Sequence, residues 1–150
     1  MADPHDDMVH GLTDRVRSLL RAFDRQDRLE TARAFVGWLE RQQRGGKLPD
    51  AAREMLLRAL HVGSDPINYC ILSTLDPLQA TDVASLMAAT DLSRVAVSER
   101  IGDLVAVGLA SRELVDDQVR GTALALGLRA MVESLAERAG ERLATELASG

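Results

Sequence analysis

Apolar residues recur every three or four positions through most of this chain, and that spacing predicts a mainly helical protein. The first apolar stripe covers residues 16–23 and follows Thr13, a residue type that caps helix N-termini. A second stripe covers residues 29–39 and is out of phase with the first. Either two helices meet between the stripes, or one long helix changes the face that it buries. Residues 1–11 are polar and are predicted to form a flexible tail.

Two helix starts follow each other closely in the middle of the chain. Thr81 is predicted to cap a short helix over residues 82–89, and Ser93 to cap a second helix after a turn. The second helix has an apolar face at helical spacing, formed by Val97, Ile101 and Leu104. Gly108 is expected to end it.

A β-hairpin is predicted next, with strands at residues 110–115 and 119–126. A last helix is expected over residues 128–147. Helix, short turn, helix and hairpin is the order of a winged helix-turn-helix. The predicted fold is therefore mainly α: a winged helix-turn-helix with a small β-hairpin wing and additional N- and C-terminal helices. We expect residues 12–150 to form one such domain.

The segment LMAATDLSRVAVSERIGDLVAVGLASRELVDDQVRG resembles the DNA-binding core of bacterial transcription regulators of the MarR and ArsR type. The resemblance covers about residues 65–129. It is carried by Leu92-Ser93, the Val97-Ser98 pair, Ile101, Leu104, Gly108-Leu109, Arg112, the acidic tip Asp116-Asp117, and Arg120. It implies a transcription regulator that binds double-stranded DNA and responds to a small-molecule or protein effector.

In this fold family the second helix enters the major groove and the wing contacts the DNA backbone or minor groove. Ser98 can donate to a phosphate or a base edge, and Val95 can contact a thymine methyl group. Glu99 can accept from a cytosine amino group, although it repels phosphates. The resulting candidate DNA contacts are Ser93, Arg94, Val95, Ser98, Glu99 and Arg100 on the helix, with Arg112 and Arg120 on the wing.

Charge limits this hypothesis. The net charge of −5 excludes a protein coated with basic residues, although a local basic patch remains compatible with it. Residues 76–129 hold eight acidic and five basic residues, whereas residues 11–58 hold seven acidic and eleven basic ones. The alternative is a winged-helix interaction module without DNA binding, which docks on another protein through the acidic face of the second helix.

The last predicted helix carries an apolar stripe beyond the wing. In the resembling families, terminal helices commonly build the dimer. The chain is therefore expected to form a homodimer through Leu128, Met131, Leu135 and Leu143.

Other function classes leave no signature in the sequence. The chain has no nucleophile elbow, phosphate loop, dinucleotide fingerprint or zinc-protease motif, so we expect neither an enzyme nor a cofactor. His5, Asp6, Asp7 and His10 lie in the expected tail, so no metal site is predicted. The only cysteine, Cys70, cannot form an internal disulfide and is expected to be buried. With no apolar run that spans a bilayer and an acidic, polar start, the protein is predicted to be cytoplasmic.

Overall fold

The computed structural model describes residues 3–24, 30–113 and 117–150, without the side chains of residues 18–24 and 30–36. These residues are mainly helical, as predicted, and include one small antiparallel sheet. The elements are α1 (Pro4–Asp24), α2 (Glu30–Arg44), α3 (Leu48–Gly63), α4 (Pro66–Thr74), β1 (Thr81–Asp82), α5 (Val83–Thr90), α6 (Arg94–Ala106), β2 (Ala110–Glu113), β3 (Gln118–Gly121) and α7 (Ala123–Ala148).

The predicted tail is mostly helix. Helix α1 begins at Pro4, a residue type suited to a first helical turn, and Asp6 favours the positive end of the helix dipole. Met8 is buried in the core, so burial of this first segment stabilises it as helix. Thr13 lies inside α1, where its hydroxyl donates to the carbonyl of Val9. It is therefore not the helix cap that the sequence suggested.

The two apolar stripes belong to two separate helices, α1 and α2. The junction between them, residues 25–29, lies outside the described residues. Helix α1 then packs closely against the start of α7. Two glycines allow this approach: a Cβ at Gly11 would overlap the backbone of Leu124, and one at Gly127 would lie 2.8 Å from the backbone nitrogen of Met8.

Short polar side chains begin the central helices. Asp65 caps α4 by accepting from the backbone N–H of Ile67, at 2.9 Å, and of Asn68, at 3.1 Å. Ser93 caps α6 as predicted, since its Oγ accepts from the N–H of Ala96. Helix α5 is capped by Asp82 and not by Thr81, which instead pairs with Val119 in the sheet.

The sheet has the strand order β1-β3-β2 with both pairs antiparallel. In the hairpin Ala110 pairs with Gly121 and Arg112 with Val119. Residues 114–116, which include the predicted acidic tip residue Asp116, lie outside the described residues.

The second strand of the hairpin, β3, is shorter than predicted, and α7 begins earlier than the predicted residue 128. The Thr122 side chain accepts from the N–H of Ala125 and donates to the carbonyl of Gly108, at 2.7 Å. This cap starts α7 at Ala123, so residues 123–126, predicted as strand, are helical. Their apolar side chains suit a buried helix as well as a strand, and the cap decides between the two.

One core joins the helices to the sheet. The predicted inward face of α6, formed by Val97, Ile101 and Leu104, is fully buried. It packs in one cluster with apolar side chains of α1, α3, α4, α5, the sheet and the start of α7. Among the described helices, none has both the length and the apolar character needed to cross a membrane.

Candidate nucleic-acid interface

Helix α6 has one buried face and one face left open. Val95, Glu99, Gly102 and Asp103 are exposed on the side opposite the core. A Cβ built at Gly102 meets no described atom within 4 Å, so this surface has free space in front of it. Ser98 is half-buried at the edge of the open face. A partner approaching α6 from solvent therefore reaches Val95 and Glu99 directly.

Asp117 joins the hairpin to the start of α6. Its Oδ2 accepts from Arg94 Nη1 at 2.7 Å, and its Oδ1 accepts from Arg112 Nε at 3.0 Å. We call these three residues the wing clasp. Asp117 adopts a left-handed backbone conformation with φ of 51°, in which its side chain meets both arginines. Hydrogen bonds from Arg112 and then from Arg94 hold the pKa of the Asp117 carboxyl below its ordinary value of 3.8.

Arg100 lies on the inner side of α6, away from the open face. Its Nη1 donates to Asp65 Oδ1 at 2.7 Å and to Asn68 Oδ1 at 3.2 Å. Asn68 is buried, and its amide group also donates to the Val62 carbonyl. Arg100 thus links α6 to the first turn of α4, and its contact with DNA stays a prediction. Asp65 therefore both caps α4 and accepts from Arg100. The pKa of the Asp65 carboxyl is lowered, chiefly because it accepts a hydrogen bond from the backbone N–H of Asn68.

The two wing arginines are also bonded within the chain. Arg120 Nη1 donates to the carbonyl of Leu78 at 2.8 Å, and Arg112 is mostly buried against Asp117. Arg94 keeps 60% of its side chain exposed despite its ion pair. Of the four arginines predicted to meet DNA, Arg94 is therefore the most accessible.

Three exposed arginines of the N-terminal helices form ion pairs within their own helix. Arg17 contacts Asp14, Arg53 contacts Asp50 and Arg58 contacts Glu54, each three or four positions apart on one helix. Exposed pairs of this kind contribute little to stability. They also lower the net positive charge that this half of the chain presents to a partner.

The predicted dimer residues divide between two environments. Leu128 is 2% exposed and Met131 packs against the core, so both support the chain's own fold. Leu128 is therefore not exposed to a second copy, and it lies against α3, where a Cβ built at Gly63 would come within 3.3 Å of its Cδ1. Leu135 and Leu143 are 55% and 62% exposed. Leu147, four positions after Leu143 on the same predicted stripe, is 81% exposed.

Two further expectations concern chemistry. Cys70 was expected to be buried but is exposed, because it lies on the face of α4 opposite the buried Ile71 and Leu72. Within the described residues no group of three or more histidine, cysteine or acidic side chains is arranged to hold a metal ion.

Comparison of the chain with protein-family models, with curated proteins and with solved structures found no match.

Proposed function

We propose that this protein is a winged helix-turn-helix DNA-binding regulator of transcription. In this proposal α5 and α6 are the helix-turn-helix, α6 enters the major groove, and the β2–β3 hairpin is the wing. The element order α4-β1-α5-α6-β2-β3 and the strand order β1-β3-β2 support this interpretation. The resemblance to MarR- and ArsR-type regulators covers the same elements.

The observation that carries the proposal is the open face of α6 beside a hairpin that is fixed to its first turn. A DNA-reading helix needs one face anchored in the core and the other free to enter a groove about 12 Å wide. Val95 and Glu99 occupy the free face, and Ser98 borders it. The wing clasp holds Arg94 and Arg112 beside the same end of the helix.

The arginines of the wing clasp have a role in this proposal that fits their pairing. A phosphate oxygen can replace a carboxylate oxygen as the acceptor for a guanidinium group. Arg94 is exposed enough to turn from Asp117 to a phosphate, while Arg112 keeps the hairpin in place. Because this exchange gives up one ion pair to make another, the net gain per contact is small.

The test compares Arg94→Ala with Arg53→Ala in binding to fluorescein-labelled duplex DNA. Both variants remove one exposed, paired positive charge, but Arg53 lies on α3 outside the proposed interface. Arg94→Ala is expected to weaken binding to all sequences alike and to reduce the salt slope by about one per protomer, which is about two for the proposed dimer. Arg53→Ala is expected to leave both unchanged. Equal effects of the two variants would contradict the assignment of α6 and the wing as the interface.

A second candidate function is supported by the charge of the same surface. Glu99 and Asp103 both stand on the open face of α6, and all four candidate arginines are bonded within the chain. A winged-helix interaction module would use this acidic face to dock on a basic protein. In that case the protein binds no duplex DNA even at low salt. Glu99→Gln then weakens binding to the basic protein partner. In the DNA-binding case Glu99→Gln strengthens non-specific DNA binding, since it removes a repulsion.

We also propose that the protein acts as a homodimer through the exposed end of α7. From Val132 onward the residues of α7 are exposed, and Leu135, Leu143 and Leu147 recur along this segment. Two-fold dimers are the usual form of proteins that read paired half-sites.

A further inference from the structure

A cavity of about 490 Å³ lies between α1, α2 and α3. Its wall is largely apolar and is formed by Leu12, Val16, Leu39, Leu48, Ala51 and Met55. Ala51 and Met55 are buried at its floor. This volume falls within the range of about 300–1,000 Å³ that is usual for small-molecule sites in proteins.

The volume decides which kind of occupant fits. A single turn of α-helix, about 10 Å wide and 5.4 Å long, occupies roughly 420 Å³. The cavity therefore has room for little more than one helical turn. A compact small molecule of about 15–25 non-hydrogen atoms suits this space better.

The rim of the cavity indicates the charge of that molecule. Among the described side chains, Arg17 and Glu40 are the charged residues that line it, and both are exposed. An anion attracted by Arg17 is repelled by Glu40, and a cation experiences the reverse. An uncharged molecule with an aromatic or branched aliphatic body gains the apolar contacts without either repulsion.

Helix α1 connects this cavity to α6. Leu12 and Val16 face the cavity, while the neighbouring face of α1 carries Arg15. Arg15 donates to the carbonyls of Val105, at 3.4 Å, and of Ala106, at 2.5 Å. These carbonyls end α6, so a long-range contact from α1 fixes the end of the helix proposed to read DNA. A shift of α1 moves its anchor on α6.

We propose that the cavity between α1, α2 and α3 binds a small uncharged apolar molecule, and that Arg15 transmits this binding to the end of α6. This binding site is separate from the open face of α6. Only the consequence for DNA affinity rests on the proposed function.

The binding step is tested with N-phenyl-1-naphthylamine, an uncharged dye that fluoresces in apolar surroundings. The wild-type protein should give a saturable, blue-shifted signal at one dye per chain. Ala52→Phe fills the cavity from its half-buried wall position and should abolish the signal. Ala88→Phe adds the same bulk at an exposed position of α5 outside this cavity and should preserve it. If Ala52→Phe fails to fold by circular dichroism, Ala52→Leu replaces it, with a weaker signal expected.

Two results would overturn the binding step: no saturable signal in the wild type, or an equal signal in the folded filled-cavity variant. The class of ligand has its own control. 1-Anilinonaphthalene-8-sulfonate has the same rings with a negative charge and should bind more weakly. Tighter binding of the sulfonate would overturn the assignment of an uncharged ligand.

The transmission step has a measurement that involves no DNA. The N–H groups of Gly108 and Leu109 bond to the carbonyls of Val105 and Leu104 at the end of α6. Bound dye should slow hydrogen exchange at these amides in the wild type. Arg15→Met should still bind the dye but lose this protection, because it cannot donate to α6. Protection that persists in Arg15→Met would overturn the role of Arg15.

The two proposals can fail separately. Dye binding by a protein that binds no duplex DNA leaves the cavity assignment standing and removes the proposed function. DNA binding by a protein that binds no dye leaves the proposed function standing and removes the cavity assignment. If both hold, the dye changes the DNA affinity of the wild type and has no effect on that of Arg15→Met.

Discussion

The arginines around α6 are held by carboxylates and carbonyls of the same chain. Arg94 and Asp117 are 23 positions apart, and Arg100 and Asp65 are 35 apart. The sequence identified the arginines and the acidic turn, since their residue types and the motif order were visible. It did not reveal the pairings, because a contact between distant positions depends on the tertiary fold. For Arg100 this pairing adds a link between α6 and α4, which the sequence did not predict, to the DNA contact that it did predict.

The wing clasp leads to a prediction about stability and pH. Asp117→Asn should lower the melting temperature at pH 7, because Arg94 and Arg112 lose their charged acceptor. Asp103→Asn removes the same charge from an exposed position of α6 and should have little effect. The pKa of Asp117 is depressed in the folded state, so its carboxylate contributes stability above its unfolded pKa of about 3.8.

This contribution is lost as the pH falls through the lower folded pKa. The melting temperatures of the wild type and Asp117→Asn should therefore differ at pH 5–7 and converge only as the pH falls below the lowered pKa of Asp117 in the folded state. Thermal unfolding followed by circular dichroism measures both. A difference that persists unchanged at the lowest pH would show that the carboxylate charge is not what stabilises the hairpin.

At the level of elements, the sequence predicted which helices exist better than where they begin. Ser93 and the spacing of Val97, Ile101 and Leu104 located α6 correctly, because local capping and a buried face agree there. The starts of α1 and α7 were misplaced. Both depend on the packing of α1 against α7 and on the bond from Thr122 to Gly108, and neither contact follows from local sequence.

The close contact of α1 and α7 leads to a second prediction. Gly11→Ala should destabilise the protein by about 1–3 kcal/mol, because its Cβ would overlap the backbone of Leu124 and push the helices apart. Gly140→Ala meets no described atom within 4 Å in α7 and should instead stabilise by about 0.5–1 kcal/mol. Urea unfolding measures both. A neutral Gly11→Ala would mean that α1 does not pack on α7 in solution.

At the scale of the whole molecule, the chain builds one core and extends a helix away from it. The exposed part of α7 from Val132 to its end is about 25 Å long at 1.5 Å per residue. An isolated apolar stripe on such a helix is stabilised when a second copy covers it. The sequence predicted this use of Leu135 and Leu143, but burial distinguishes them from Leu128, which the spacing alone cannot do.

The proposed dimer is tested by sedimentation. The wild type should sediment at about twice 16.3 kDa, and Leu143→Arg should shift it towards the monomer because a charge enters the apolar contact. Leu78→Arg is the matched control, since Leu78 is 86% exposed and lies outside α7. It should remain dimeric. A wild type that is monomeric at micromolar concentration would contradict the dimer.

The central claim is that α6 and its wing bind duplex DNA, and the most direct measurement is the salt dependence of that binding. Fluorescence anisotropy with a labelled duplex should show binding at low salt that weakens as salt rises. Because Arg112 stays on Asp117, two arginines per protomer, Arg94 and Arg120, limit the slope of log K against log salt to about −4 for a dimer, at about 0.9 per phosphate contact. Absence of binding to every duplex at low salt, in a folded protein, would contradict the account and favour the acidic interaction surface of α6.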